Sequence, residues 1–187
     1  MKEIDQRKGE WVFVDLGFGE KAVSCGISRG DGTSTEVKFG DLVRLVKREA
    51  RRPGPSPLNL VLEAPLSVAF DKDGNPVPRR IDRRAGMQRD WYRYAGPQMI
   101  LSAGYLMHAL VNCGIQRHLV LFEGFVSFKT RKTKHADDAM AMKAAVWNQD
   151  RDCIIDPKKL KRRESDKLES AFKFMGMDFG IPPVIMP

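Results

Sequence analysis

Three acidic residues, Asp15, Glu63 and Asp138, stand where a carboxylate can do chemistry. Asp15 closes the apolar run Trp11-Val-Phe-Val-Asp15, and Glu63 closes Leu58-Asn-Leu-Val-Leu-Glu63. Asp138 falls in the first turn of a helix that opens at His135 or Ala136. Carboxylates brought to one point repel each other, so a bound cation stabilises the group. Magnesium takes oxygen ligands of this kind, and two such ions roughly 4 Å apart can activate water and stabilise a leaving oxygen in phosphodiester cleavage. Singly, each acid also fits an ordinary structural role. An Asp before Gly serves turns, a Glu before Ala-Pro ends strands, and acids at a helix start favour the dipole. Asp137 competes with Asp138 as a ligand, although one residue turns it about 100° around the helix. Glu123 follows another apolar run and is a candidate further ligand.

The elements that must carry these acids follow from the hydropathy pattern. Strands are expected over Trp11 to Asp15, Ala22 to Ser28 and Thr33 to Lys38, joined by Gly-bearing turns at Gly17, Gly19, Gly30 and Gly32 as an antiparallel meander. A helix over Asp41 to Arg51 ends at Pro53-Gly-Pro-Ser-Pro57. Leu58 to Glu63 reads as a strand buried on both faces. Gly96-Pro97 opens a long helix, for which Gly114 is a C-cap candidate, and His118 to Phe122 gives a fifth strand. A small-residue helix follows to Asn148. Leu168, Ala171, Phe172 and Met175 sit at helical spacing and predict a last helix over Ser165 to Met175. The tail, 176–187, is apolar, Pro-rich and expected to lie extended. The whole predicts one α/β domain over 1–187, with a mixed five-stranded sheet and helices on both faces. Three strands are antiparallel and the rest parallel. If the first and fourth strands are neighbours, Asp15 and Glu63 lie side by side, and a helix on that face can bring Asp138 to them.

This pattern resembles the RuvC-type and ribonuclease-H-like nucleases over roughly residues 11 to 150. Val12-Phe-Val-Asp-Leu-Gly17 is similar to the motif in which their first acid closes strand one, and Val61-Leu-Glu-Ala-Pro-Leu66 to the strand-four Glu motif. His135-Ala-Asp-Asp138-Ala-Met-Ala141 is similar to their last, helix-opening motif. The resemblance implies a ribonuclease-H-like fold and a catalytic and metal-binding set of Asp15, Glu63, His135 and Asp138. It implies Mg²⁺ or Mn²⁺ as cofactor and cleavage of DNA or RNA, including structured or branched DNA. The Glu-Ala-Pro-Leu run also resembles a group of uncharacterised predicted nucleases of this fold.

The chain carries 32 Lys+Arg against 24 Asp+Glu, a net +8. The segment 71–94 holds seven cations (Lys72, Arg79, Arg80, Arg83, Arg84, Arg89, Arg93) and four Asp. Lys129, Arg131, Lys132 and Lys134 follow without an acid between them. These two segments account for +7 of the net charge and adjoin Glu63 and Asp138 in the chain. They are the expected contacts to a phosphate backbone, DNA more than RNA, with strong salt dependence. Trp91 and Tyr94 are expected to pack under the following helix, with stacking on bases as the alternative. Lys158 to Arg163 reads as a solvated charge cluster.

Cys25, Cys113 and Cys153 form no Cys-x-x-Cys pair, which argues against zinc and a disulfide framework and for a cytoplasmic protein. No segment reaches the ~20 apolar residues of a membrane span, and the charged N-terminus is unlike a signal peptide. A homodimer through the last helix or the tail is one expected assembly. The competing readings are a catalytically silent nucleic-acid-binding or assembly subunit of the same fold, and an actin-like kinase half built on Asp15-Leu-Gly-Phe-Gly19. The second lacks a partner domain.

Overall fold

The computed structural model describes residues 8–18, 25–30, 32–128, 133–148 and 153–187. In chain order the strands and α-helices begin with β1 (Glu10–Leu16), β2 (Cys25–Arg29), β3 (Thr35–Val37), α1 (Phe39–Arg51) and β4 (Leu58–Glu63). Next come β5 (Ser67–Phe70), β6 (Pro76–Val77), β7 (Arg83–Arg84), β8 (Met87–Gln88), α2 (Gly96–Val111), β9 (Leu119–Gly124) and α3 (His135–Trp147). The chain ends with β10 (Ile154–Ile155), β11 (Lys167–Ser170) and β12 (Val184–Ile185). Residues 22–24 of the expected second strand lie outside the described residues.

The main sheet runs β10-β12-β9-β4-β1-β2-β3. β1, β2 and β3 are antiparallel, while β4, β9 and β12 continue from β1 in parallel. This is the expected mixed sheet, and its core order β3-β2-β1-β4-β9 resembles the ribonuclease-H-like topology. It is wider than the five strands expected, because the extended tail supplies β12, which pairs with β9 and then with β10.

The continuous apolar runs of β1 and β4 are explained by burial on both faces. Val12, Val14, Leu16, Leu58, Leu60 and Leu62 pack with α1 and α2. Trp11, Phe13, Val61 and Phe122 pack with Ala139, Met142 and Val146 of α3. Trp11 and Phe13 stack with ring centroids 5.6 Å apart, and Trp147 meets both edge-on. That contact fixes the C-terminal end of α3.

The predicted last helix is not formed. Residues 167–170 are instead β11, antiparallel to β5, and a 3₁₀ turn follows over Ala171–Met175. The unpaired edge of β5 needs backbone partners, and β11 supplies them where an isolated helix would not. Phe172 is fully buried in the core beneath α1 and α2, and Val184 and Ile185 of β12 are fully buried in two smaller clusters. The two elements expected to support a dimer are thus largely taken up by the fold.

The Arg-rich insertion is also more ordered than its composition indicates. Arg79 is only 1% exposed. Its guanidinium bonds Asp82 (3.0 Å), Glu123 (2.7 Å) and Ser67 (2.8 Å). Glu123 in turn accepts from the backbone N–H of Leu66 and Ser67, which ties the segment after β4 to the end of β9. Burial pushes the Glu123 carboxyl above its ordinary range, against the pull of Arg79. The expectation that Arg79 meets a phosphate backbone is therefore corrected, because its charge is consumed inside the protein. Beyond it, Ala85 and Gly86 at positive φ turn the β7–β8 hairpin. Trp91 packs on Phe70 and donates to the Val77 carbonyl, whereas Tyr94 is 94% exposed, contrary to the packing expected of it.

Arg79→Met should cost about 3–5 kcal/mol in urea unfolding, since it leaves two buried carboxylates without their cation. Arg80→Met, one residue away but exposed, should change stability by no more than about 0.5 kcal/mol. Equal effects would show that the buried pair is not what holds the insertion.

Candidate metal centre

One register row crosses the sheet at the C-terminal end of β1. Gly124 of β9 pairs with Glu63 of β4, Glu63 with Asp15, Asp15 with Gly26 of β2, and Gly26 with Glu36 of β3. Register partners share a face. Side chains alternate along β1, so Asp15 points to the face of Trp11 and Phe13, where α3 lies. The row therefore sets three acids on the α3 side and puts glycine at two positions.

Gly26 is spatially required, whereas at Gly124 the crowding atom belongs to a flexible methionine. A β-carbon on Gly26 would stand 2.0 Å from the backbone oxygen of His135. One on Gly124 would stand 2.2 Å from the sulfur of Met142. A glycine inside a strand marks this kind of close approach. Gly26 lets the first turn of α3 lie against the sheet, and Glu36 holds it there by accepting from the His135 backbone N–H at 3.1 Å. Neither Gly26 nor Glu36 was singled out from sequence. A glycine within the apolar run Cys25-Gly-Ile-Ser was the available signal, whereas Glu36 offered none.

Docked this way, α3 brings His135 and Asp138 to Asp15. The three residues offer ligand atoms that all lie within 4.8 Å of one another, a group able to hold a metal ion. Asp15 is 1% and Asp138 3% exposed. His135 is the more open member, its side chain 38% exposed, and its Nδ1 lies 2.9 Å from Asp15 Oδ2. Thr133 donates through Oγ1 to Asp138 Oδ1 at 2.8 Å. The N-terminal end of α3 adds a favourable dipole for both carboxylates.

The other expected site residues fall in three places. Glu63 is beside Asp15 on the same face but outside the group within 4.8 Å. Asp137 is exposed and accepts from the Lys134 backbone N–H, so it caps the helix and does not join the cluster. Glu123 lies one residue before Gly124 in β9, so it points to the opposite face, where Arg79 engages it. Among the expected nucleic-acid contacts, Arg80, Arg83, Arg84, Arg89, Arg93 and Lys134 are exposed. Lys129, Arg131 and Lys132 lie outside the described residues, as does Gly19 of the glycine pair after Asp15.

The donor set, two carboxylates and an imidazole, fits a divalent metal ion. Among the described residues, no helix is long and apolar enough to cross a membrane. No protein-family model matches the chain, no curated protein matches it, and no solved structure matches it.

Gly26→Ala should push the first turn of α3 off the sheet and separate His135 and Asp138 from Asp15. Mn²⁺ binding, read by calorimetry, should weaken at least tenfold while far-UV circular dichroism still reports a folded chain. Gly32→Ala, where a β-carbon meets nothing within 4 Å, should bind as wild type.

Proposed function

We propose that this protein is a divalent-metal-dependent nuclease that hydrolyses phosphodiester bonds in DNA or RNA. The observation that carries the reading is the meeting of Asp15, His135 and Asp138, with ligand atoms within 4.8 Å of one another, on a sheet of ribonuclease-H-like order. Residues 120 apart in sequence (Asp15 and His135) share a 2.9 Å contact, and the glycine row shapes the sheet to permit it.

In this reading Asp15, Asp138 and His135 would hold the cation, with Glu63 beside Asp15 on the same face of the sheet. Bound Mg²⁺ or Mn²⁺ supplies Lewis acidity towards the phosphoryl oxygens and lowers the pKa of a coordinated water. Where His135 stays outside the shell, its protonated Nδ1 donates to Asp15 and leaves Nε2 to accept the proton of an attacking water. The partial exposure of the His135 side chain supports access of water to the ring. The exposed arginines of the β7–β8 hairpin and Lys134 contribute sequence-independent attraction for the backbone. DNA is the favoured substrate, and the net +8 fits a polyanion of either kind.

Cleavage of labelled single-stranded, duplex and branched DNA and of RNA is expected with Mn²⁺ or Mg²⁺ and should stop on chelation. Asp15→Asn should reduce the rate about 100-fold or more, and Asp138→Asn similarly, because each removes a ligand oxygen. Mn²⁺ should raise the melting temperature of the wild type and not of Asp15→Asn. Undiminished cleavage by Asp15→Asn would overturn the assignment. Metal-independent, salt-sensitive binding without turnover on any substrate would favour a silent nucleic-acid-binding subunit instead.

A further inference from the structure

A dense cluster of positive charge lies on α1, away from the acidic row. α1 carries Arg44, Lys47, Arg48 and Arg51 at the spacing i, i+3, i+4, i+7. Its opposite face buries Leu42, Val43, Val46 and Ala50, so the four cations form one outward stripe about 10 Å long. Like charges three and four residues apart destabilise a helix by roughly 0.2–0.5 kcal/mol per pair. The helix dipole recovers part of this near the C-terminus, at Arg48 and Arg51, but not at Arg44.

Arg29 from β2 and Arg52 from the end of α1 join the stripe to form an open groove of about 810 Å³. Its lining contains six cations and a single acid, Glu49. Glu49 is mostly buried, bonds Arg29 at 3.3 Å, and has Arg48 and Arg52 each at 3.8 Å. Asp41 pairs with Arg44 further up the helix. A second hollow of about 340 Å³ shares Arg29, Glu49 and Arg52 with this groove. It continues past Gly30 to Trp147, which is 45% exposed. Arg29 pairs in register with Val12, three residues before Asp15, so the groove lies about 10 Å back along β1 and on the opposite face of the sheet from the acidic row.

We infer that this groove is a second nucleic-acid-binding site, a grip for the phosphate backbone separate from the acidic cluster. Five of its six cations are arginine, whose planar fork binds phosphate oxygens in pairs. Its lining offers no apolar anchor of the sort that centres a protein–protein contact. Of the two tryptophans lining the adjoining hollow, Trp11 is buried and Trp147 is 45% exposed, so Trp147 is the one that could meet an unpaired base. The groove rests on its own charge, and only its role as a grip for a nuclease substrate rests on the reading above.

The test is fluorescence anisotropy of a labelled 25-nucleotide single-stranded DNA in EDTA, titrated with protein over a salt series. Arg44→Gln/Lys47→Gln/Arg51→Gln should weaken binding at least tenfold at low salt. It should also lower the slope of log affinity against log salt by about 2, as expected for three lost contacts to a single strand. Its melting temperature should not fall, since the stripe repels itself. Lys159→Gln/Lys161→Gln/Arg162→Gln removes the same charge from an exposed cluster elsewhere and should bind within twofold of wild type. Unchanged binding by the α1 variant, or equal losses in both variants, would overturn the groove. Should wild type bind in this pattern yet cleave nothing, the groove stands and the nuclease reading falls. Should it cleave while the α1 variant binds normally, the reverse holds.

Discussion

The atom that shapes this molecule most is one that is missing: the β-carbon of Gly26. With it, the strand surface would lie 2.0 Å from the carbonyl of His135, and α3 would have to rise off the sheet. Without it, the first helical turn touches the backbone of β2, and the side chains at its start reach the end of β1. The rest of α3 is arranged to hold that contact. Trp147 braces its far end on Trp11 and Phe13, and Glu36 ties down its first backbone N–H. Asp15, buried at the end of a central strand, gains its neighbours only because the helix can come this close.

Two buried ionic groups sit near the C-terminal ends of β4 and β9, on opposite faces of the sheet, and their chemistry differs. On one face Glu123 and Asp82 meet Arg79, a cation that stays charged at any accessible pH. That cluster is balanced internally and locks the insertion to the sheet. On the other face Asp15 and Asp138 meet an imidazole, whose nitrogen can itself serve as a ligand. A fixed cation makes a structural tie. Two carboxylates and an imidazole make a group that could hold a metal ion.

How legible these features were depends on how local their causes are. The strands and helices bearing Asp15, Glu63 and Asp138 were readable because apolar runs and turn residues declare themselves within a few positions. The preference for Asp138 over Asp137 followed from helical phase alone. Arg79 was unreadable for the opposite reason. Nothing near it distinguishes it from Arg80, and its role is decided by Glu123, 44 residues away. The segment 167–170 has helical spacing, yet the open edge of β5 claims it. Gly26 and Glu36 act through register, which is a property of the assembled sheet and not of any window of sequence.

Charge shows the same division between count and placement. The net +8 drew attention to the two segments next to the acids, yet one of those arginines is buried and three of the other cations lie outside the described residues. The cations of α1 did not stand out in the sequence, because Glu49 and Asp41 are interspersed with them. In space the helix sorts them. The apolar face turns inward, Glu49 goes with it into a nest of arginines, and the remaining cations are left on one side. An acidic cluster and a cationic groove thus come to lie at opposite ends of the same central strand, each at a position that the packing of a helix on the sheet determines. They also lie on opposite faces of the sheet, since Arg29 pairs with Val12 on the α1 side whereas Asp15, three residues further along β1, faces α3.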